Sequence, residues 1–262
     1  MNSEESRLND YKEKTKIDGE ELVRKVFPKR VFEMEEILAS DLFIVDGKRV
    51  HSEVNVPYPV NFRRFLNSDG DTDSMGLNNK NNNNDTNNDD IDELMNERKL
   101  RMPIKNAYIY SLPNGCISYN KHIKDMIERA KPCLTQLMIE AQIVRLWVQF
   151  NIPRIEDGNN FGVGIQEEIL AEASSIERDA CSFLDQVTRY YASRGKLVGK
   201  VAKFPHIEDY RECIRDMDEK QAITMRYIIM EIRNHYATLH DIIIKNLDRI
   251  KVPRSNNAIN MY

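Results

Sequence analysis

The residues of this chain that could do chemistry are few and poorly arranged for catalysis. Five histidines occur, His51, His122, His206, His235 and His240, and none stands in a His-Glu-x-x-His or Glu-x-x-His pattern, the spacings that place two metal ligands on one helix face. His235 and His240 lie five residues apart, which turns them to different faces of a helix. The four cysteines, Cys116, Cys133, Cys181 and Cys213, are scattered without a Cys-x-x-Cys, so reduced thiols in a cytosolic protein are expected rather than a disulfide frame or a zinc site. Gly158, Gly162 and Gly164 cluster, but no Gly-Lys-Ser/Thr follows them and no Gly-x-Ser-x-Gly occurs anywhere. A phosphate cradle and a nucleophile elbow are therefore not expected. The reading is of a protein with no catalytic residues, no metal ligands and no cofactor.

Two segments carry the pattern of binding instead. The first runs Pro153-Arg154-Ile155-Glu156-Asp157-Gly158-Asn159-Asn160-Phe161-Gly162-Val163-Gly164 between two long helical stretches. A plain helix–helix turn would use Gly158 and the asparagines to reach positive φ, but it has no need of Phe161 or of so many specified polar residues. Loops of this kind, held on a rigid scaffold, are where binding surfaces are built. The second is the end of the chain, Ser255-Asn256-Asn257-Ala258-Ile259-Asn260-Met261-Tyr262. A frayed end is the ordinary fate of such a segment; a short peptide that docks by its carboxylate and last side chains is the functional alternative.

The elements that must position these segments follow from composition and period. The chain has 262 residues, 38 basic against 42 acidic, for a net charge of −4, too near balance for a protein that coats nucleic acid or an anionic membrane. Residues 67–93 hold nine Asn and eight acids against one Lys, so without them the count is 37 basic to 34 acidic. That Asn/Asp-rich insert, about residues 60–112, has too little apolar surface to offset its ordering entropy and is expected to be disordered. No apolar run approaches the ~18–20 residues of a membrane span, and the acidic Met1-Asn2-Ser3-Glu4-Glu5 start is no signal peptide.

Only 10 Gly and 9 Pro occur, and residues 165–194 and 206–252 contain neither, which predicts long helices. Helix one is expected over about 8–40, with Pro28 kinking or dividing it. Helix two is expected over about 120–151 on the 4-3 seam Ile123, Ile127, Ala130, Leu134, Leu137, Ala141, Val144 and Val148. Pro132 should kink this helix or delay its start to near Lys131. Trp147 beside the seam reads as a core or interface anchor. Helix three is expected over about 165–201 and helix four over about 207–250, helices two to four thus lying within about 117–252. The fold class is all-α: one domain over 1–262, an elongated four-helix bundle with a flexible tail at 253–262. Helix four is apolar around more than one face, which points to subunit contacts.

These features together resemble the 11S proteasome activators, the REG family. The stretch Ile152–Gln166 matches the family's activation loop, and further matches are Phe27-Pro28-Lys29, Ser193-Arg194-Gly195, Asp209-Tyr210-Arg211, Met230-Glu231-Ile232-Arg233-Asn234-x-Tyr236-Ala237, Lys245-Asn246-Leu247 and the terminal Met261-Tyr262. The resemblance covers about residues 8–40 and 115–262. It implies a heptameric ring that caps the 20S proteasome without ATP. Its C-terminal tails (Asn260, Met261 and Tyr262 here) insert between proteasome α subunits. Its activation loop (Arg154, Ile155, Glu156, Asp157, Gly158, Asn159, Asn160, Phe161 and Gly162) moves their N-terminal turns to open the gate. Glu156, Asp157, Asn159 and Asn160 are the expected polar contacts, and Phe161 is expected to pack the loop against the bundle, with direct contact to the proteasome as the alternative.

The family usually carries a Lys/Glu/Pro-rich insert, whereas this one is Asn/Asp-rich, so no role carries over to it. One sequence implies a homo-oligomer, cytoplasmic and with the nucleus left open, since Pro28-Lys29-Arg30 is too short for a nuclear signal, and with neither nucleic acid nor membrane as partner. A coiled-coil scaffold with no proteasome partner would explain the 4-3 patterns equally well, but neither the loop nor the terminal Met-Tyr.

Overall fold

In the computed structural model residues 3–57, 115–154 and 160–254 are described. Among them there are helices and no strand, as the scarcity of glycine and proline requires. The insert expected at about 60–112 lies outside these residues, as does the segment after Arg254.

The first helix does divide at the predicted proline. Helix α1, Ser3–Glu21, runs into a wide π turn, Leu22–Val26, and then into α2, Phe27–Ala39. Pro28 cannot donate to the carbonyl of Arg24, and its ring would collide with that carbonyl in a plain α-helix. The chain escapes by widening, and the Phe27 N–H reaches back to the carbonyl of Leu22, a π-type bond. A 3-10 turn, Asp41–Phe43, leads to the short α3, Gly47–Val50, capped by the Asp46 side chain accepting from the Lys48 N–H.

Helix α4, Lys121–Phe150, passes Pro132 without ending. The delayed start near Lys131 is not found, because Asn120 supplies a strong start: its side-chain oxygen accepts from the Ile123 N–H, an N-cap. Helix α5 spans Phe161–Lys203 and α6 spans Asp209–Lys245. The predicted fourth helix is broken at Asn246, beyond which α7 covers Leu247–Lys251. The break has no glycine or proline to announce it. The Asn246 side chain donates to the Ile242 carbonyl at 2.8 Å, taking an acceptor that the backbone ladder would use.

The described residues divide into two units. The first comprises residues 1–52, 120–193 and 215–262 and holds the bundle core. Every member of the predicted α4 seam is at most 2% exposed. In the same buried cluster are Ile169, Ile176 and Ala180 of α5 and Met225, Ile228, Ile229, Ile232, Tyr236, Leu239 and Ile243 of α6, and Ala173 of α5 is buried as well. Each fully buried Leu, Ile or Val contributes ~1.5–3 kcal/mol from removal of apolar surface. Trp147 is in the core at 1% exposed. It fits because Gly19 of α1 has no side chain: a Cβ there would stand 2.5 Å from Trp147 Cβ.

Buried polar groups in this unit tie helices together. The Asp218 carboxylate, wholly buried, accepts from the Tyr190 hydroxyl and from the Asn120 amide, each at 2.8 Å. The same amide donates to the Val50 carbonyl at 2.7 Å. Arg30 reaches the buried Glu140 with two nitrogens, at 2.9 and 3.2 Å. Glu140 holds the guanidinium of Arg30 well above its ordinary pKa, and burial pushes the neighbouring Tyr236 hydroxyl up. Arg226 donates to the carbonyls of Leu38 and Phe43, both at 2.9 Å, closing the end of α2.

The second unit comprises residues 53–119 and 194–214. Its small core is Val56, Val201 and Ile214, and Arg211 donates to the Val56 carbonyl at 3.0 Å.

The contact at Gly19 generates a test. Alanine in a helix interior is favoured over glycine by ~1 kcal/mol, but overpacking a tight core costs ~1–3 kcal/mol. Trp147 Cβ sits at the root of its side chain and cannot swing aside. Gly19→Ala should therefore lower stability, by about 1–2 kcal/mol, seen as a lower midpoint in thermal unfolding followed by circular dichroism.

Candidate functional site at the loop end and the tail root

The link between α4 and α5 is anchored at both ends. Helix α4 closes on Asn151, whose side chain donates to the Trp147 carbonyl at 2.9 Å, and Pro153 follows to prevent continuation. Arg154 is exposed. On the far side α5 opens with Phe161, and the Gly164 N–H donates to the Asn160 carbonyl at 3.0 Å. The middle of the predicted loop, Ile155, Glu156, Asp157, Gly158 and Asn159, lies outside the described residues.

One turn into α5, Gln166 is completely buried. Its amide nitrogen donates to two carbonyls, Asn151 at 3.0 Å and Ile250 at 2.8 Å. The first carbonyl belongs to the end of α4 and the second to α7, at the root of the C-terminal segment. Both belong to the orphan acceptors of a helix end, and burial without a partner would cost each of them about 1–3 kcal/mol.

The tail root packs directly on the loop end. A Cβ added to Gly162 would lie 2.1 Å from the Pro253 carbonyl oxygen, so only glycine permits this approach. Arg254 donates to Asn160 Oδ1 at 3.1 Å. The Arg249 guanidinium sits 5.0 Å from the centre of the Phe161 ring, within cation–π range. From α1, Glu20 meets Lys251 with both carboxylate oxygens, at 2.6 and 2.7 Å. The Lys251 ammonium holds the Glu20 carboxyl below its ordinary pKa.

Of the predicted loop residues, Asn160, Phe161 and Gly162 are thus found at one place, beside the start of the C-terminal segment. Asn260, Met261 and Tyr262 lie outside the described residues. The expectation that Phe161 packs the loop onto the bundle is not met. The ring is 70% exposed with the Arg249 guanidinium over its face, while Gly162, next to it, takes the inward position against Pro253.

Sequence reasoning gave no part to Gln166, Arg249, Pro253 or Arg254, nor to Glu20 and Lys251. Gln166 closes the stretch that resembles an activation loop, which was the one available signal. The others are Pro253, which the sequence marks only as a helix stop, and charged residues of ordinary appearance whose contacts span long sequence distances. Among the described residues no group of three His, Cys, Asp or Glu side chains is placed to hold a metal ion, and no helix is long and apolar enough to cross a membrane. What the site offers is an exposed aromatic ring, amide and guanidinium groups, and a rigid base: equipment for contacting another macromolecule.

Comparison with known proteins places this arrangement. Residues 2–61 match the family described as proteasome activator PA28, N-terminal, and residues 116–260 match proteasome activator PA28, C-terminal. The chain is 40% identical over 260 residues to the proteasome activator complex subunit 3 of Gallus gallus, covering 98% of this chain and 95% of the relative. It is 39% identical over 261 residues to the subunit of the same name from Homo sapiens, with the same coverage. Among solved structures, it resembles the 11S subunit of the Plasmodium falciparum proteasome, PA28, with a TM-score of 0.72 and 26% identity over 97% of this chain and 96% of the other. The loop between α4 and α5, the tail root beside it and the helical bundle beneath them are accordingly those of a PA28 chain, and this protein belongs to the 11S family of proteasome activators.

Proposed function

We propose that this chain activates the 20S proteasome without ATP and without bond chemistry of its own, as a homo-oligomeric ring, heptameric, that docks by its C-terminal tails and opens the substrate gate with the loop between α4 and α5. Its place of work in this reading is the cytoplasm. The observation that carries the reading is the meeting of Asn160, Phe161 and Gly162 with Arg254, Arg249 and Pro253 respectively at one end of the bundle core. A docking peptide and a gate-moving loop would thereby face one partner surface together. The activator names of the relatives support it.

Ring assembly accounts for apolar residues that the isolated chain leaves open. On α6, Ile223 and Tyr227 are about half exposed, at 53% and 50%, and on α2 and α4 so are Phe32 and Ile139. A single tail binds weakly, since ordering its residues costs free energy. Seven tails on one ring make the later contacts intramolecular, and avidity adds ~10²–10⁴. Binding alone does not open a gate. The loop must favour the open state, because a ligand shifts an equilibrium only by its differential affinity for the two states.

Native mass spectrometry checks assembly: the expected species is a closed ring of seven 30.7-kDa chains, whereas a dimer or a filament would favour a plain scaffold. Deleting Asn260–Tyr262 should abolish both binding to 20S particles and stimulation of fluorogenic-peptide hydrolysis; a truncated chain that stimulates as well as the full one sinks the docking model. Asn160→Tyr should keep binding and lower peptide hydrolysis at saturating ring, read by titrating ring against a fixed amount of 20S particles.

A further inference from the structure

The activator reading gives the tail the task of holding on and the loop the task of opening. The contacts between loop end and tail root assign a third task, that of joining the two. We infer that Gln166 and the Arg254–Asn160 hydrogen bond are positioning elements that fix the loop to the tail root, so that docking at the tail sets where the loop stands. This inference rests on the activator reading and deepens it.

Three observations carry it. The Gln166 amide nitrogen, fully buried, is shared between the carbonyl that ends α4 and a carbonyl of α7. One side chain thus determines the spacing of the loop's first anchor from the tail's last helical turn. Gly162 and Pro253 are in backbone contact so close that no side chain fits between them. This excludes sliding of the start of α5 past the tail root. Arg254 then clasps Asn160 one residue beyond the contact on the tail side and two residues before it on the loop side. The tail leaves the bundle already committed to the loop's position. Coupling between two sites requires a contiguous physical link between them, and these contacts form one.

None of these three residues needs to touch the proteasome for the effect. A tail that docks correctly on a bundle whose loop is free to shift would bind well and open poorly. The joint therefore belongs to maximal stimulation and not to affinity, and the two are separable by titration.

The full-length ring is titrated against 20S particles with a fluorogenic peptide, reading the plateau of stimulation and the half-saturating concentration separately. Gln166→Leu should lower the plateau about three- to tenfold, the scale of one hydrogen bond, and move the half-saturating concentration less than about threefold by the same reasoning. Arg254→Ala and Asn160→Ala should each lower the plateau, and the double variant should be no worse than the poorer single, because both remove the same bond. Arg254→Lys, which keeps a cationic donor, should recover part of the loss. Thermal unfolding and native mass spectrometry check that each ring is intact. If Gln166→Leu fails to assemble, the surface pair Arg254 and Asn160 decides the matter alone. Full plateaus in these variants, multiplicative losses in the double variant, or losses confined to half-saturation overturn the inference while leaving the activator reading in place. A wild-type ring that gives no stimulation overturns that reading and this inference with it.

Discussion

Two helix ends, one closing α4 and the other at α7, turn a backbone carbonyl toward the same buried point, and a single amide nitrogen on Gln166 answers both. A helix terminus is a costly thing to bury, because its last carbonyls have lost their partners within the helix. The Ile250 carbonyl is buried with Gln166, and the Asn151 carbonyl is partly so. The rest of the site is arranged around that obligation. Gln166 must sit one turn into α5, so α5 must start at Phe161; Gly162 must then pass under Pro253, and Phe161 is left pointing outward. The exposure of a large aromatic ring is a result of satisfying a buried carbonyl pair nearby.

The bundle beneath provides the stiffness this requires. A polar joint holds its geometry only if the helices carrying it do not shift, and the core is fixed both by volume and by polarity. Gly19 and Trp147 interlock with no space for a methyl group. Asp218 receives Tyr190 and Asn120 in a wholly buried position. An unpaired carboxylate there would cost far more than a lost contact, so each of these partners is fixed in register by the others. Arg30 and Glu140 act likewise between α2 and α4.

Periodicity made the bundle legible before its structure. The α4 seam from Ile123 to Val148 and the stripes of α5 and α6 lie in the core as their 4-3 spacing requires, because burial on one helix face is a local pattern repeated many times. The loop was legible as a segment, through its unusual density of glycine, asparagine and a lone Phe. What remained hidden depends on single long-range contacts. Asn246 breaks the last helix with a side chain that commonly sits inside helices without doing so. Gln166, Arg254 and the Glu20–Lys251 pair are surface-type residues whose meaning comes from partners up to 231 positions away. At Pro132 only the delayed start is overturned: a proline within a helix costs a hydrogen bond, but a helix capped by Asn120 and buried along its length runs through it. Phe161 misled for the same reason as any lone aromatic, since apolarity favours burial only where the backbone allows the side chain to turn inward.

The wide turn at Leu22–Val26 bears on how the first helix can change its length. A π turn holds one residue more than the α turn it replaces, equivalent to about 100° of rotation at 3.6 residues per turn. Thr15, Gly19, Val23 and Phe27 are buried at steady intervals of four, a spacing that would spiral away from the core in an unbroken α-helix and is brought back into phase by the wide turn. The turn is a phase reset between two halves of one rod. A single-residue deletion within it would keep both buried faces nearly in phase, but would set the Pro28 ring against the carbonyl four residues before it. The same deletion elsewhere in residues 3–39 would rotate one half away from the bundle, carrying Gly19 off Trp147 and Glu20 off Lys251.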